Sequence, residues 1–342
     1  MDAKKIIKDW MLPIAMVTGA SLYIIYRSIP SLHAFGPYLQ GLAGFMQPML
    51  IFAMLFLTFC RIEPKDLKPH RWHWWLLLIQ SGLFAGLGIG AFAVMRYLPG
   101  EGTDWLVFVE SAMLCFICPT ATAAAVVTRK LGGDVAGITT YTILINLVTA
   151  LIVPLIVPMI RPVDGMNFWL AFSMIMAKIF PLLIMPCLLA WMVRYMAPKL
   201  HRILISYPDL PFYLWSVGLA LAVAVTTRSI FNSRLGLVTL LLISLISLLC
   251  CIIQFALGRY VGGMYRPRRQ ADREINPEVE KRGKALRKVT AGQSLGQKNT
   301  IFAIWMAYTF MTPETSIVGG LYSIWHNIYN SWQMYRSGRS DA

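Results

Sequence analysis

Gly292–Gln293–Ser294–Leu295–Gly296–Gln297–Lys298–Asn299 interrupts an otherwise apolar segment running from about Val289 to Met311. The lysine sits roughly ten residues from either end of a span about twenty residues long, so it falls near a bilayer midplane. An ionisable group at that depth is costly and marks a functional-site candidate. Two glycines and a dense polar patch also predict an interrupted helix. Unwound backbone at membrane depth is tolerated only where it is buried in protein or lines a cavity.

The rest of the chain supports a membrane setting. Its 342 residues are 57% hydrophobic and 14% charged, with mean hydropathy +0.60, whereas soluble domains carry about 25% charged residues. Apolar runs recur along the whole length, which predicts a polytopic all-α membrane protein. Ten spans are expected, approximately at Trp10–Tyr26, Pro37–Cys60, Trp72–Tyr97, Trp105–Thr128, Val135–Ile160, Phe168–Tyr195, Leu210–Thr227, Leu235–Met264, Val289–Met311 and Ser316–Tyr335. The N-terminal lysines and hydrophobic stretch read as a first span and not as a removable leader. Placing Lys and Arg on alternate sides of these spans puts 24 with the termini and 5 opposite, with Lys178 and Lys298 inside spans. The positive-inside rule then sets both termini in the cytoplasm of a cell (inner or plasma) membrane protein.

The net charge of +15 follows from the same bias, with its main cluster in a cytoplasmic basic loop, 265–288, facing anionic lipid. No nucleic-acid-binding fold accompanies it, so nucleic acid is excluded as a partner. Trp10, Trp72, Trp74, Trp75, Trp105, Trp169 and Trp305 mostly mark span ends, as an aromatic belt does. Six cysteines (Cys60, Cys115, Cys118, Cys187, Cys250, Cys251) lie in or beside apolar runs, without metal spacing, and read as small buried hydrophobes. The absence of a Walker lysine motif, nucleophile elbow or HExxH argues against an ATP-driven pump or an enzyme.

The fourth span carries a second interruption, Cys118–Pro119–Thr120–Ala121–Thr122–Ala123–Ala124–Ala125. Pro119, about mid-span, removes a backbone donor and frees carbonyls. The two interruptions fall in the fourth span of each five. Five is odd, so the halves must be inverted relative to one another: 1–165 as the first five-helix repeat and 166–342 as the second. Interrupted helices at matching positions in two halves point to a transporter with a midplane site.

The Cys118–Pro119–Thr120–Ala121–Thr122–Ala123 stretch, continuing through Val126–Val127–Thr128 to Gly133–Asp134–Val135–Ala136, resembles the fourth-helix signature of the bile acid:sodium symporter family. That signature reads C-P-G-G-T-A-S-N-V-V-T, followed by a G-[ND]-x-A helix start. The Gly296–Asn299 patch and Trp325–His326–Asn327 are similar to that family's G-M-Q-N crossover and W-H-N helix. The resemblance extends from about residue 60 onward. It implies ten helices in a panel domain and a core domain, with discontinuous helices 4 and 9 crossing in the core. It also implies alternating-access transport of a small organic, anionic solute, commonly coupled to two sodium ions.

The family's sodium ligands carry over only in part. Its Ser-Asn pair falls on Ala124 and Ala125, which offer no side-chain oxygen. The polar pair of the next helix falls on Ile138 and Thr142, and the third-helix glutamine on Gln80. The E-x-x-x-Q-N motif aligns to Gln293, Gln297 and Lys298, or with a one-residue gap to Ser294, Lys298 and Asn299. In either register the acidic ligand is lost and an ammonium arrives beside a site for a hard cation that wants oxygen. The expectation is that the sodium sites are not both functional, and that Lys298 serves as a tethered cation or carries a proton.

Candidate substrate- or ion-binding residues are thus Thr120, Thr122, Lys298, Asn299, Gln293, Gln297, Ser294, Gln80 and Thr142. Glu110 and Lys178 are candidate proton or counter-ion sites. Asn146, Thr149 and Gln254 are expected to make interhelical hydrogen bonds, His326 to be structural, and Glu314 to lie in a loop. No metal or other cofactor is expected, Na+ coupling is in doubt, and H+ is the alternative coupling ion. The sequence leaves the substrate and the oligomeric state open. A proton-coupled antiporter or efflux carrier of the same fold, and a non-transporting membrane sensor, are the other readings.

Overall fold

The computed structural model describes residues 3–97, 105–162, 165–207, 209–265 and 277–340. It is all-helical, with one isolated β-bridge among the described residues. The helices are α1 (Ala3–Ser28), α2 (Gly36–Cys60), α3 (Arg71–Tyr97), α4 (Leu106–Ile117), α5 (Ala123–Lys130), α6 (Val135–Ile160), α7 (Phe168–Met196), α8 (Pro198–Ile205), α9 (Leu210–Asn232), α10 (Leu237–Met264), α11 (Pro277–Gly296), α12 (Thr300–Phe310) and α13 (Pro313–Ser340). Among the described residues six are long and apolar enough to cross a membrane: α2 with its preceding turn, α3, α6, α7, α9 and α10. The chain is therefore a multi-pass helical membrane protein.

Six of the expected spans coincide with these helices, and the other four fall on α1, on the α4/α5 pair, on α11/α12 and on α13. The basic loop expected at 265–288 is corrected in its second half, because α11 already begins at Pro277. Proline suits a helix start, where its missing N–H has no intrahelical role, and Glu278 and Glu280 in the first turn complement the helix dipole. The positions 266–276 lie outside the described residues. Glu314 is likewise helical, in the first turn of α13. Trp74, Trp75 and Trp169 are exposed, as a belt requires, but Trp72 and Trp305 are buried. Trp305 lies inside α12, packed against Phe302 and Phe310, so it fills core and marks no interface.

The helices pack in two groups. α1, α2, α7 and α9 contact one another, whereas α3–α6 gather with α10–α13. Contacts of α6 with α7, and of α9 and α2 with α12, join the groups. The most extensive contact is α10 on α11, where Gly258 and Gly262 lie so near that a Cβ would stand 2.4 Å from the backbone oxygens of Ala291 and Arg287. With no hydrophobic drive between helices in lipid, such small residues let backbones pack closely.

Candidate functional site

The two interruptions meet. Helix α4 stops at Ile117 and α5 starts at Ala123; α11 stops at Gly296 and α12 starts at Thr300. The linkers cross as a two-rung antiparallel bridge: Ala121 N–H donates to Gln297 O at 3.0 Å, and Asn299 N–H donates to Pro119 O at 2.9 Å. Each break thus supplies the backbone partners that the other lacks, which is how non-helical chain survives in a buried, apolar setting.

Accounting for the freed carbonyls explains the neighbouring side chains. In an unbroken α4, Cys115 O would accept from residue 119, but that residue is proline. Gln254 Nε2 on α10 donates to it instead, at 3.1 Å. Ile117 O accepts from Thr149 Oγ1 (3.1 Å), and Cys118 O from Gln80 Nε2 (3.0 Å), itself held by Tyr141 Oη on Gln80 Oε1. Ser294 O accepts from Thr120 Oγ1 (2.7 Å), and Gly296 O from the Tyr322 hydroxyl (2.8 Å). Phe116 O is left for Lys298, whose Nζ donates to it at 3.1 Å.

Lys298 is 1% exposed, so its ammonium does not reach a membrane surface. Among the described residues no carboxylate pairs with it; the thiols of Cys115, Cys118, Cys250 and Cys251 lie around it. Its compensation comes from backbone. The C-termini of α4 and α11 end at the crossover with their partial negative charge, partly balanced by the positive N-termini of α5 and α12, so the direct partner is the Phe116 carbonyl in the last turn of α4. A cavity of about 10 Å³ adjoins the ammonium, lined by Cys118, Thr300 and Tyr322 among others. That is about one water molecule in size.

The remaining candidates sort by position. Thr120 lies in the crossover. Asn299 caps α12, its Oδ1 accepting from Phe302 N–H, while Thr122 precedes α5, half-buried and without a side-chain cap bond. Ser294 and Thr142 are buried but turn their hydroxyls onto their own helices, at Thr290 O and Ile138 O. Gln293 donates to Asn330 Oδ1 and Gln333 Oε1 on α13. Gln297 is fully buried, and neither its Oε1 nor its Nε2 has a hydrogen-bond partner among the described residues.

Glu110, also fully buried, is gripped by Arg161 through two oxygens (2.5 and 3.2 Å) and by Thr315 Oγ1 (2.7 Å). It staples α4 to the end of α6 and the start of α13, away from the crossover. Lys178 is exposed on α7, its Nζ 5.6 Å from the Phe310 ring centre. Thr149 and Gln254 make the expected interhelical bonds, but Asn146 does not: both its amide atoms are buried and unbonded.

What the sequence reading missed is a polar stripe on α13. Ser323, His326 and Asn330 are buried along it, and Ser323 Oγ, His326 Nδ1, Asn327 Nδ2 and Asn330 Nδ2 lack partners among the described residues. With Gln293 Oε1 on α11 and Gln297 in the linker after it, they are buried polar groups with spare hydrogen-bonding capacity. Such groups are costly unless something satisfies them. The signal was legible in the spacing of 323, 326/327, 330 and 333, which is one helix face. Of the described residues, no three acidic, histidine or cysteine side chains cluster as a metal site. Comparison with protein-family models and with curated proteins returns no match.

Proposed function

We propose that the chain is a secondary transporter of a small organic, anionic solute, resembling the bile acid:sodium symporters, with Lys298 as a tethered cation at the crossover. The observation that carries this reading is the meeting of two interrupted helices around a fully buried lysine. An ion-coupled relative needs a cation there only when loaded, whereas a lysine makes that charge permanent. Spare polar groups on α11 and α13 supply hydrogen-bonding partners for a solute or for water.

In this reading the membrane is crossed ten times: by the six long helices, by α1 and α13, and by the α4/α5 and α11/α12 pairs. Both termini lie in the cytoplasm. The packing supports an inverted repeat. Matching α1 to α7, α2 to α9, α3 to α10, α4/α5 to α11/α12 and α6 to α13 carries the α1–α9 contact onto α7–α2. It also carries α3–α6 onto α10–α13, and α4–α13 onto α11–α6; all of these pairs pack together. The group α1, α2, α7, α9 is then the panel and the rest the core, and transport moves one against the other. Sodium-independent uptake of an organic anion into proteoliposomes, abolished in Lys298→Ala, is the expected result. Uptake that is lost on Na+ removal and unaffected by Lys298→Ala overturns it.

A second reading has support in the same site: among the described residues the ammonium has one carbonyl acceptor and no carboxylate, so in this reading Lys298 carries a proton and the protein is a proton-coupled antiporter. An imposed pH gradient that drives transport in the wild type and not in Lys298→Ala selects this reading.

A further inference from the structure

Away from the crossover, a cavity of about 220 Å³ opens between α3, the α5–α6 turn, α10 and α11, lined by Trp72, Gly132, Gly133, Asp134, Gly262, Leu286, Arg287 and Thr290. It sits at helix ends: Trp72 is in the first turn of α3 and Gly262 in the last turn of α10. On the ten-span reading this is the level of the membrane interface, at the end of the bundle where Arg129, Lys130, Arg259 and Lys288 also lie. Three glycines keep the walls bare. At Gly133 a side chain would meet Thr128 Cγ2 at 2.7 Å and Thr290 Oγ1 at 2.9 Å, and Gly132 takes φ +74°, a conformation that favours glycine.

Two opposite charges face this space. Arg287 spends Nη2 on Glu280 (2.7 Å) and its Nε is closed off from solvent, while its Nη1 makes no hydrogen bond among the described residues. A guanidinium N–H left open in this way matches a phosphate oxygen. Asp134 accepts from Gly137 N–H through Oδ1 at 3.0 Å. Its residue is exposed, and Oδ2 accepts no side-chain hydrogen bond among the described residues. That carboxylate opposes a purely anionic ligand and suits an ammonium. Trp72 and Leu286 provide apolar wall. The volume is below the roughly 300–1,000 Å³ of pockets that take drug-sized ligands, and fits a headgroup.

We propose that this cavity seats the phosphoethanolamine headgroup of a membrane lipid, phosphate on Arg287 and ammonium at Asp134. Pockets between transmembrane helices at the basic end of a bundle are a recurring setting for lipid headgroups. The cavity borders the crossover's supports: α3, α6 and α10 carry Gln80, Thr149 and Gln254, and α11 leads directly into the linker with Lys298, which together partner freed carbonyls of the crossover. The proposal needs the chain to lie in a bilayer and does not rest on transport.

The test measures lipids retained by the purified full chain from nanodiscs of phosphatidylethanolamine, phosphatidylcholine or phosphatidylglycerol, by native mass spectrometry. Phosphatidylethanolamine is expected to be retained roughly tenfold over phosphatidylcholine, the effect of about one charge-assisted hydrogen bond. Asp134→Asn should erase that preference while the helix stays capped, since asparagine caps as well as aspartate. Arg287→Gln should lower retention of every phospholipid. Equal retention of the three lipids overturns the proposal, as does an unchanged preference in Asp134→Asn. Preference for phosphatidylglycerol overturns it in favour of an anionic-lipid site. Binding of soluble phosphoethanolamine without lipid retention overturns it in favour of a small-molecule site. If Arg287→Gln fails to fold, Asp134→Asn alone decides. Lys298→Ala should leave lipid retention unchanged, which keeps this result separate from any transport result.

Discussion

Replacing Lys298 by methionine separates a functional charge from a structural one. The substitution keeps an unbranched, flexible chain, so the packing around Cys118, Thr300 and Tyr322 is nearly preserved. It removes one charged hydrogen bond to Phe116 O, a contribution of about 1.5–3 kcal/mol. It also removes the attraction of the α4 and α11 C-termini net of the repulsion from the α5 and α12 N-termini, a balance of no more than about 1 kcal/mol. Against those losses stands the cost of holding an ion out of water, several kcal/mol per ion. The terms nearly cancel, so Lys298→Met should unfold within about 2 kcal/mol of the wild type. Transport, or any response to Na+ or pH gradients, should be lost. Intrinsic tryptophan fluorescence during denaturation in detergent reads the first quantity, and proteoliposome flux reads the second. A loss of more than about 4 kcal/mol with flux intact in the surviving fraction would refute the reasoning: Lys298 would then be a carbonyl cap and nothing more.

Three further outcomes follow from particular contacts. Gln254→Leu orphans Cys115 O and should cost about 1–3 kcal/mol in the same unfolding assay; an unchanged midpoint would contradict that bond. Arg161→Ala should destabilise more than Glu110→Gln, because it leaves a fully buried carboxylate with only Thr315, whereas the glutamine variant leaves a guanidinium whose side chain is 33% exposed; equal melting shifts would contradict the pairing geometry. Gly258→Ala should lower stability by about 1–3 kcal/mol, since its methyl meets the backbone oxygen of Ala291, which has no rotamer to yield; an unchanged melting temperature would mean that α10 and α11 sit further apart.

The interruptions themselves were legible in the chain. Pro119 has no N–H whatever its surroundings, and a Gly-Gln-Lys-Asn run in an apolar segment cannot continue as lipid-facing helix, so both breaks follow from local chemistry. The six long helices follow equally from apolar length, because a bilayer fixes the number of residues that cross it. The α11 start was misread because its first turns are charged, and composition there describes a helix emerging from the apolar region as well as it describes a loop. Trp72 and Trp305 were misread because an aromatic near a span end is equally at home in a core.

Sequence alone determined that the chain is apolar, helical and twice broken, with a cation at one break: these are properties of residues and their immediate neighbours. Only the tertiary structure decided what the breaks are for. Residues 119–121 and 297–299 are about 180 positions apart, and nothing local says that Pro119 O accepts from Asn299 N–H or that Phe116 O accepts from Lys298. Nor does spacing reveal that Glu110 is spent on Arg161 and Thr315 while Gln297 is left unbonded. A polar group in an apolar medium must find a partner, but which partner it finds is set by how distant helices pack.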